Sequence, residues 1–451
     1  MPPFELRQSS KKVTSRAGLA LVGTALERFA GLTRSIDPKF PVRSGIATSD
    51  VLKSYVGLLC EGKSDFDAIE SKRQDGFFSR ALTLRQVPSA ATLRQRLDAL
   101  GVNAAETIDE LIVPLLKRAR APITPLATGH VALDMDVFTM DNSDTRKEGV
   151  ARTYQGYYGY APIAAYLGRE GWCVELELRP GDRHSAHETE YTLERAIGRA
   201  AALTDRPILL RKDAGFDSER LYTCSLNCAA QHGARLDLLG RWNPRLTPVE
   251  AIAADKCAQR GTLWQSLRPG KRETVWDENG RTLTLADGST RTLRRVLRLT
   301  ERTTDVDGQP FLFPKYTLEG WETTLDRPIA EVIALYCDHG THEQFHSEFK
   351  TDLNLERLPS GKFDTNLLVM CLAALAYNVL RLIGQTALLD KDAPLRHPAQ
   401  RRRLRTVIQE IITVAAHIVH RARRFILDFG HHCPVYSVFE RTWRVWHSAP
   451  A

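Results

Sequence analysis

The chain reads as an α/β protein in which a mixed sheet covered by helices follows a mainly helical N-terminal region and is interrupted by a β-rich insertion. Three observations predict this. Apolar residues follow helical spacing through the first 128 or so residues, change to period-two runs from residue 130, and return to helical spacing at residue 328. Between the last two, hairpin signals crowd residues 242–330. A length of 451 residues with 43% hydrophobic content supports a large core and more than one domain.

Taken in order, residues 47–101 look helical and compact, and the stretches SDVLKSYVGLLCEG and SDFDAIESKR each open on a Ser-Asp start signal. In PSAATLRQRLDALG, Ser89 is placed to cap a short helix whose early turns present Thr92, Arg94, Gln95 and Arg96. As the second helix of a helix-turn-helix, those side chains could reach phosphates and base edges. An ordinary amphipathic helix burying Leu93 and Leu97 accounts for the same stretch equally well. From residue 130 come three strand-like runs, HVALDMDVFTM, YGYAPIAAYLG and GWCVELELRPG, then a helical stretch, HETEYTLERAIGRAAALT, and a fourth strand, RPILLRKDAGF. That order resembles the opening of an RNase H-like sheet, in which the first and fourth strands lie side by side. A helix (217–232) and a short strand, ARLDLLGR, follow. In the insertion, TVWDENGRTLTL carries Asn279-Gly280, a strong turn signal. The expected division is therefore 1–128, mainly helical; 129–241 and 331–385, two parts of one catalytic domain; 242–330, the insertion; and 386–451, a basic helical region.

Lys and Arg exceed Asp and Glu by 62 to 54, a net charge of +8 that favours polyanionic partners. The excess is uneven. RRRLR (401–405) and HRARR (420–424) are expected to flank a long apolar-periodic helix, and TRTLRRVLRLTER (290–302) reads as a strand with one charged face. The longest apolar run, LLVMCLAALAY (367–377), falls short of a membrane span, so no membrane association is expected and a cytoplasmic protein with free thiols fits best. The eight Cys are scattered, and the Cys224–Cys228 pair has no second pair to complete a zinc site.

Two acids in LDMDVF need a chemical reason. Asp134 and Asp136 share one side of a strand, and Asp213 stands at the end of the fourth strand, where the chain breaks at Gly215. If the first and fourth strands are neighbours, Asp136 and Asp213 converge, and paired carboxylates are stable around a hard cation such as magnesium or manganese. The stretch THEQFHSEFK adds H-E-x-x-H, a zinc-peptidase pattern when two His share a helix face with a Glu between them. On an uninterrupted helix, however, Tyr336, His339, Glu343 and Lys350 share one face, while His342 and His346 fall on the apolar flank. The residues that follow lack a further His, and Glu356 is the only nearby acid plausible as a third ligand.

These residues together resemble the DDE transposases of bacterial insertion sequences. YCDHGTHEQFHSEFK supplies Tyr336, Glu343 and Lys350 at the spacing of a Tyr-x2-Arg-x3-Glu-x6-Lys signature, with His339 where the signature has Arg. LDMD and KDAGF place Asp136 and Asp213 in the first two acidic positions. The resemblance covers roughly residues 130–385 and implies cut-and-paste excision and integration by phosphodiester hydrolysis and strand transfer. It implies two divalent ions, Mg or Mn, on Asp136, Asp213 and Glu343; phosphate contacts from Tyr336, His339 and Lys350; and Trp321 of the insertion stacking on a flipped base. Arg94 and Arg96 would bind the element ends. The partners implied are double-stranded DNA, as terminal inverted repeats and target, and a second copy of the chain in the DNA complex, acting at a bacterial nucleoid. Two other readings are a catalytically silent DNA-binding derivative and a zinc metallopeptidase.

Overall fold

The computed structural model describes residues 4, 6–245, 247–389 and 401–448. A short strand, β1 (Val13–Thr14), leads into the helices α1 (Leu19–Thr24), α2 (Leu32–Ile36), α3 (Thr48–Leu59), α4 (Gly76–Ala81), α5 (Ala90–Asp109) and α6 (Ile112–Arg118). The expected Ser89 cap is present, its side chain accepting from the Thr92 amide at 3.1 Å. The helix it starts outruns the expected end, passing a kink at Gly101, where φ is 39°. The two Ser-Asp signals divide. Asp65 caps the 3-10 helix Phe66–Lys72. Ser49 and Asp50 instead lie inside α3, where the Asp50 carboxylate accepts from the Arg85 and Gln86 amides across the bundle.

The strands that follow are β2 (Val131–Val137), β3 (Met140–Asp141), β4 (Ala151–Arg152), β5 (Tyr158–Tyr160), β6 (Ile163–Leu167) and β7 (Trp172–Glu177). After α7 (Glu190–Leu203) come β8 (Ile208–Lys212), α8 (Glu219–Gln231), β9 (Leu236–Trp242) and α9 (Val249–Ala258). The insertion then supplies β10 (Gln265–Arg268), β11 (Lys271–Thr284), β12 (Thr290–Thr304) and β13 (Pro310–Thr323). Among the described residues, one nine-stranded sheet runs in the order β10-β11-β12-β13-β9-β8-β2-β6-β7. It is mixed: β2 is parallel to β8 and antiparallel to β6, and β8 is parallel to β9. The expected adjacency of the first and fourth strands is therefore present.

The insertion is β-rich but not detached, because β13 pairs with β9 from Gly320↔Trp242 to Thr323↔Leu239. Its turn also lies elsewhere than expected. Asn279-Gly280 sits inside β11 at a register irregularity, with Glu278↔Arg295 paired before it and Thr282↔Thr292 after it. The ladder on both sides holds the chain extended, so Asn-Gly is absorbed as a bulge. The chain reverses instead at Asp287-Gly288, where Gly288 has φ 79°.

Helices α7 and α8 pack on one face of the sheet. On the other, Ala132, Leu209 and Leu239 pack with Val332 of α10 (Ile329–Cys337). Alternation then sends Asp134, Asp136, Arg211 and Asp213 toward that second face. A 3-10 turn (Asp338–Thr341), α11 (His342–Ser347) and a π-helical turn (Glu348–Asp352) continue from α10. The expected single helix is thus broken at Asp-His-Gly-Thr, four poor helix formers.

Next comes α12 (Phe363–Ala387), a helix that contains the apolar run 367–377 and continues past it. It is long and apolar enough to cross a membrane, yet 94% of its most apolar window is buried inside the protein. Arg381 within it pairs with Glu348. The long helix expected between the two C-terminal basic clusters does not form. After α13 (Leu404–Val407) and a π-turn to Ile412, the chain makes a hairpin, β14 (Ala416–Arg421) and β15 (Arg424–Phe429), before α14 (Tyr436–Ser448). Val414 to Val419 is rich in β-branched residues, and β1 supplies a pairing edge for β14, which together favour extended chain over helix.

Candidate active site

The parallel ladder between β2 and β8 sets the geometry of the acids. Its register runs from Val131↔Ile208 to Met135↔Lys212, so the next step brings Asp136 opposite Asp213. Asp213 directly follows the strand and caps the turn Ala214–Phe216, accepting from the Gly215 amide at 3.0 Å. Asp136 accepts from the Val137 amide at 2.7 Å. Both are half-buried. Two phenols lie within electrostatic reach of both acids: partial desolvation of its hydroxyl raises the pKa of Tyr154, a residue otherwise 69% exposed, and Asp136 and Asp213 each raise it further. Tyr336 is raised in the same way by burial and by both acids, against the opposing charge of Arg241.

Asp134 has a different fate, though it shares the face of Asp136. It is 3% exposed, and Arg211 grips it with two nitrogens at 2.6 and 2.8 Å. His339 Nδ1 lies 3.0 Å from the same carboxylate. Burial alone would raise this carboxyl; the charges of Arg211 and His339 overcome it and hold Asp134 well below the usual carboxylate range. Arg211 also donates to the Leu335 carbonyl at 2.7 Å, which fastens the end of α10 to the sheet.

This corrects the reading of His339. At 2% exposure its ring is inside the protein beside Asp134, a placement unsuited to holding a phosphate. Trp321 is corrected too. It is 1% exposed, packed among Leu209, Leu239 and Val332 and 5.9 Å from the Tyr336 ring, so it offers no face to a flipped base. Arg96 is engaged internally, donating to the Ile46 carbonyl and to Thr48 Oγ1, while Arg94 remains exposed with Asp67 at 3.6 Å.

Glu343 is exposed, on the first turn of α11. One turn further on, His346 is buried, stacked on Phe138 at 4.6 Å, with Nδ1 3.9 Å from Asp136. The other His of the zinc pattern, His342, has a side chain outside the described residues. Lys350 donates to the Thr139 carbonyl at 2.9 Å and pairs with Glu356 at 3.1 Å. Among the described residues, no three His, Cys, Asp or Glu side chains lie close enough to hold one metal ion. By residue type, Asp136, Asp213 and Glu343 would make an all-oxygen set of the kind that suits magnesium or manganese.

The sequence did not mark Arg211, Arg241 or Tyr154. For Arg211 a signal existed, because the strand adjacency that pairs Asp136 with Asp213 also sets Arg211 beside Asp134. The basic clusters also resolve. In β12, Arg294, Arg295 and Arg298 are matched by Asp277, Glu322 and Glu319. Arg403 and Arg405 converge on Asp352. At the β14–β15 turn, Arg421, Arg423 and Arg424 are exposed, with no ion pair recorded among the described residues.

A family model described as transposase DDE domain, group 1, matches residues 2–449. No curated protein matches the sequence. Among solved structures, the chain is similar to a cryo-EM structure of the piggyBac transposase synaptic complex with hairpin DNA. The identity is 12% and the TM-score 0.42, and the likeness covers 90% of this chain and 83% of that one.

Proposed function

The chain belongs to the transposase DDE domain family, group 1, and from that premise we propose that this DNA transposase moves an insertion sequence by cut-and-paste, hydrolysing phosphodiesters at its ends and then transferring the strands. The observation that carries the proposal is the parallel ladder of β2 and β8, whose register at Met135↔Lys212 leaves Asp136 and Asp213 as the next residues of the two chains. With Glu343 they would hold two divalent ions, Mg or Mn, which when bound activate the attacking oxygen and stabilise the leaving one. The chain's own residues do the rest. Asp134, locked by Arg211 and His339, stiffens the strand that carries Asp136 and joins it to α10. Tyr336 and Lys350, both half-buried, would meet phosphates there, Lys350 by leaving its pairing with Glu356. Arg94 is the exposed candidate for holding the inverted repeats. Two copies would act on one pair of ends, at the nucleoid of a bacterial host.

The test is strand cleavage of DNA bearing the element ends. Asp213→Asn and Asp136→Asn should each lower cleavage at least ~10³-fold while end binding stays within about threefold of wild type, since the basic surfaces are untouched. Asp134→Asn should instead cost about 3–5 kcal/mol of stability, because it leaves Arg211 buried without its counter-charge. Cleavage that survives the Asp213 change in a folded protein would refute the assignment.

A further inference from the structure

The three-stranded sheet β1-β14-β15 ends on β15, whose sequence is Arg-Phe-Ile-Leu-Asp-Phe. Its outer edge pairs with no strand among the described residues. The hairpin closes through two residues at positive φ, Ala422 at 44° and Arg423 at 69°, with Arg421 opposite Arg424. Such a two-residue turn makes the closing pair hydrogen-bonded, so Arg424, Ile426 and Asp428 bond inward to β14. The amides and carbonyls of Phe425 and Leu427 therefore point outward. An open edge carrying exposed apolar residues is a template for another strand, and Phe425 and Ile426 are 46% and 43% exposed.

We propose that β15 pairs antiparallel with β15 of a second copy of this chain, about a two-fold axis at Ile426. Three features select that occupant. An antiparallel two-fold can fall on a residue pair that exchanges both backbone bonds or on one that exchanges none; at Ile426 it falls on the second kind, and the pairing of Arg424 with the partner's Asp428 selects that register. Phe425 and Leu427 then lie opposite each other across the axis and exchange the outward bonds, giving four hydrogen bonds in all. In the same register Arg424 faces the partner's Asp428 twice, and neither has an ion pair recorded among the described residues. Charges usually protect an edge by repelling a like strand; here their spacing makes the strand complementary to itself. Beside the edge lies an apolar trough of about 700 Å³, bounded by Phe77, Ala81, Tyr436 and Trp443, toward which side chains of the partner strand would turn.

The interface gives the expected pairing of copies a surface. It needs no DNA, so it is tested apart from cleavage by sedimentation of the full chain without DNA. Wild type should dimerise reversibly in the micromolar range. Arg424→Asp or Asp428→Arg alone should raise the dissociation constant roughly tenfold or more, because each sets two like-charged contacts, and the double exchange should restore it. Ile426→Cys should form a disulfide between copies under mild oxidation, above the wild-type background, since the two residues meet on the axis. A wild type that stays monomeric across this range overturns the proposal. So does a dimer indifferent to the charge changes, or an Arg424→Asp protein that loses DNA affinity and no self-association. Loss of cleavage in the Asp213 variant with dimerisation intact bears on the active site alone.

Discussion

Asp134 and Asp136 are separated by one residue and point the same way, yet one is locked in a buried ion pair and the other is left half-open to its partner across the ladder. The difference comes from the neighbouring strand, which offers Arg211 opposite the first and ends before reaching the second, with Asp213 as its next residue. Lys212, between those two, faces the other way. It is 1% exposed, with Nζ 4.1 Å from the Tyr222 ring centroid, and burial lowers its pKa to about 7. Its folded value lies below its unfolded one. The unfolded chain therefore binds more protons between about pH 7 and 10, and this residue makes stability rise with pH across that window. Lys212→Met should stabilise the protein by about 1–3 kcal/mol at pH 7, with the gain fading toward pH 10. Urea unfolding at both pH values measures it; an equal gain at both would mean the amine is not titrating there.

Among the elements, those legible in the sequence were the ones whose pattern and partners agree. Strands β2, β6, β7, β8 and β9 and the helices between them satisfy their own periodicity and the nine-stranded sheet at once. The region after residue 404 was misread because Ile and Val at mixed spacing suit a helix or a strand, and the choice is made by β1, some four hundred residues earlier. The fate of His339 was hidden for a similar reason: a helical wheel assumes one straight helix, and the break at residues 338–341 turns that ring toward Asp134. The β14–β15 turn shows how local preference can be overridden, since neither Ala422 nor Arg423 favours positive φ. Replacing the pair with Asn-Gly should raise stability by about 0.5–1.5 kcal/mol, read as a higher thermal midpoint. A lower midpoint would mean that these two side chains make contacts worth more than the strain they carry.

At the scale of the whole molecule, the continuity of the nine-stranded sheet is the governing feature. Because β13 pairs with β9, the insertion and the carboxylate-bearing strands should open together near this seam and separately far from it. Hydrogen exchange would show the amides of Gly320–Thr323 protected to the same degree as those of Leu236–Trp242, with Lys271–Glu273 at the distal end exchanging faster. Strong protection at the distal end with a labile seam would mark the insertion as an independent unit. The same seam has a consequence for heredity. The chain leaves the catalytic strands at Trp242 and returns opposite that residue at Gly320, so its exit and entry are neighbours. Coding sequence gained, lost or exchanged between those two points lengthens or shortens a ladder without shifting Asp213 against Asp136. Lineages of this family can therefore remodel the insertion while leaving the strands that carry Asp136 and Asp213 unchanged.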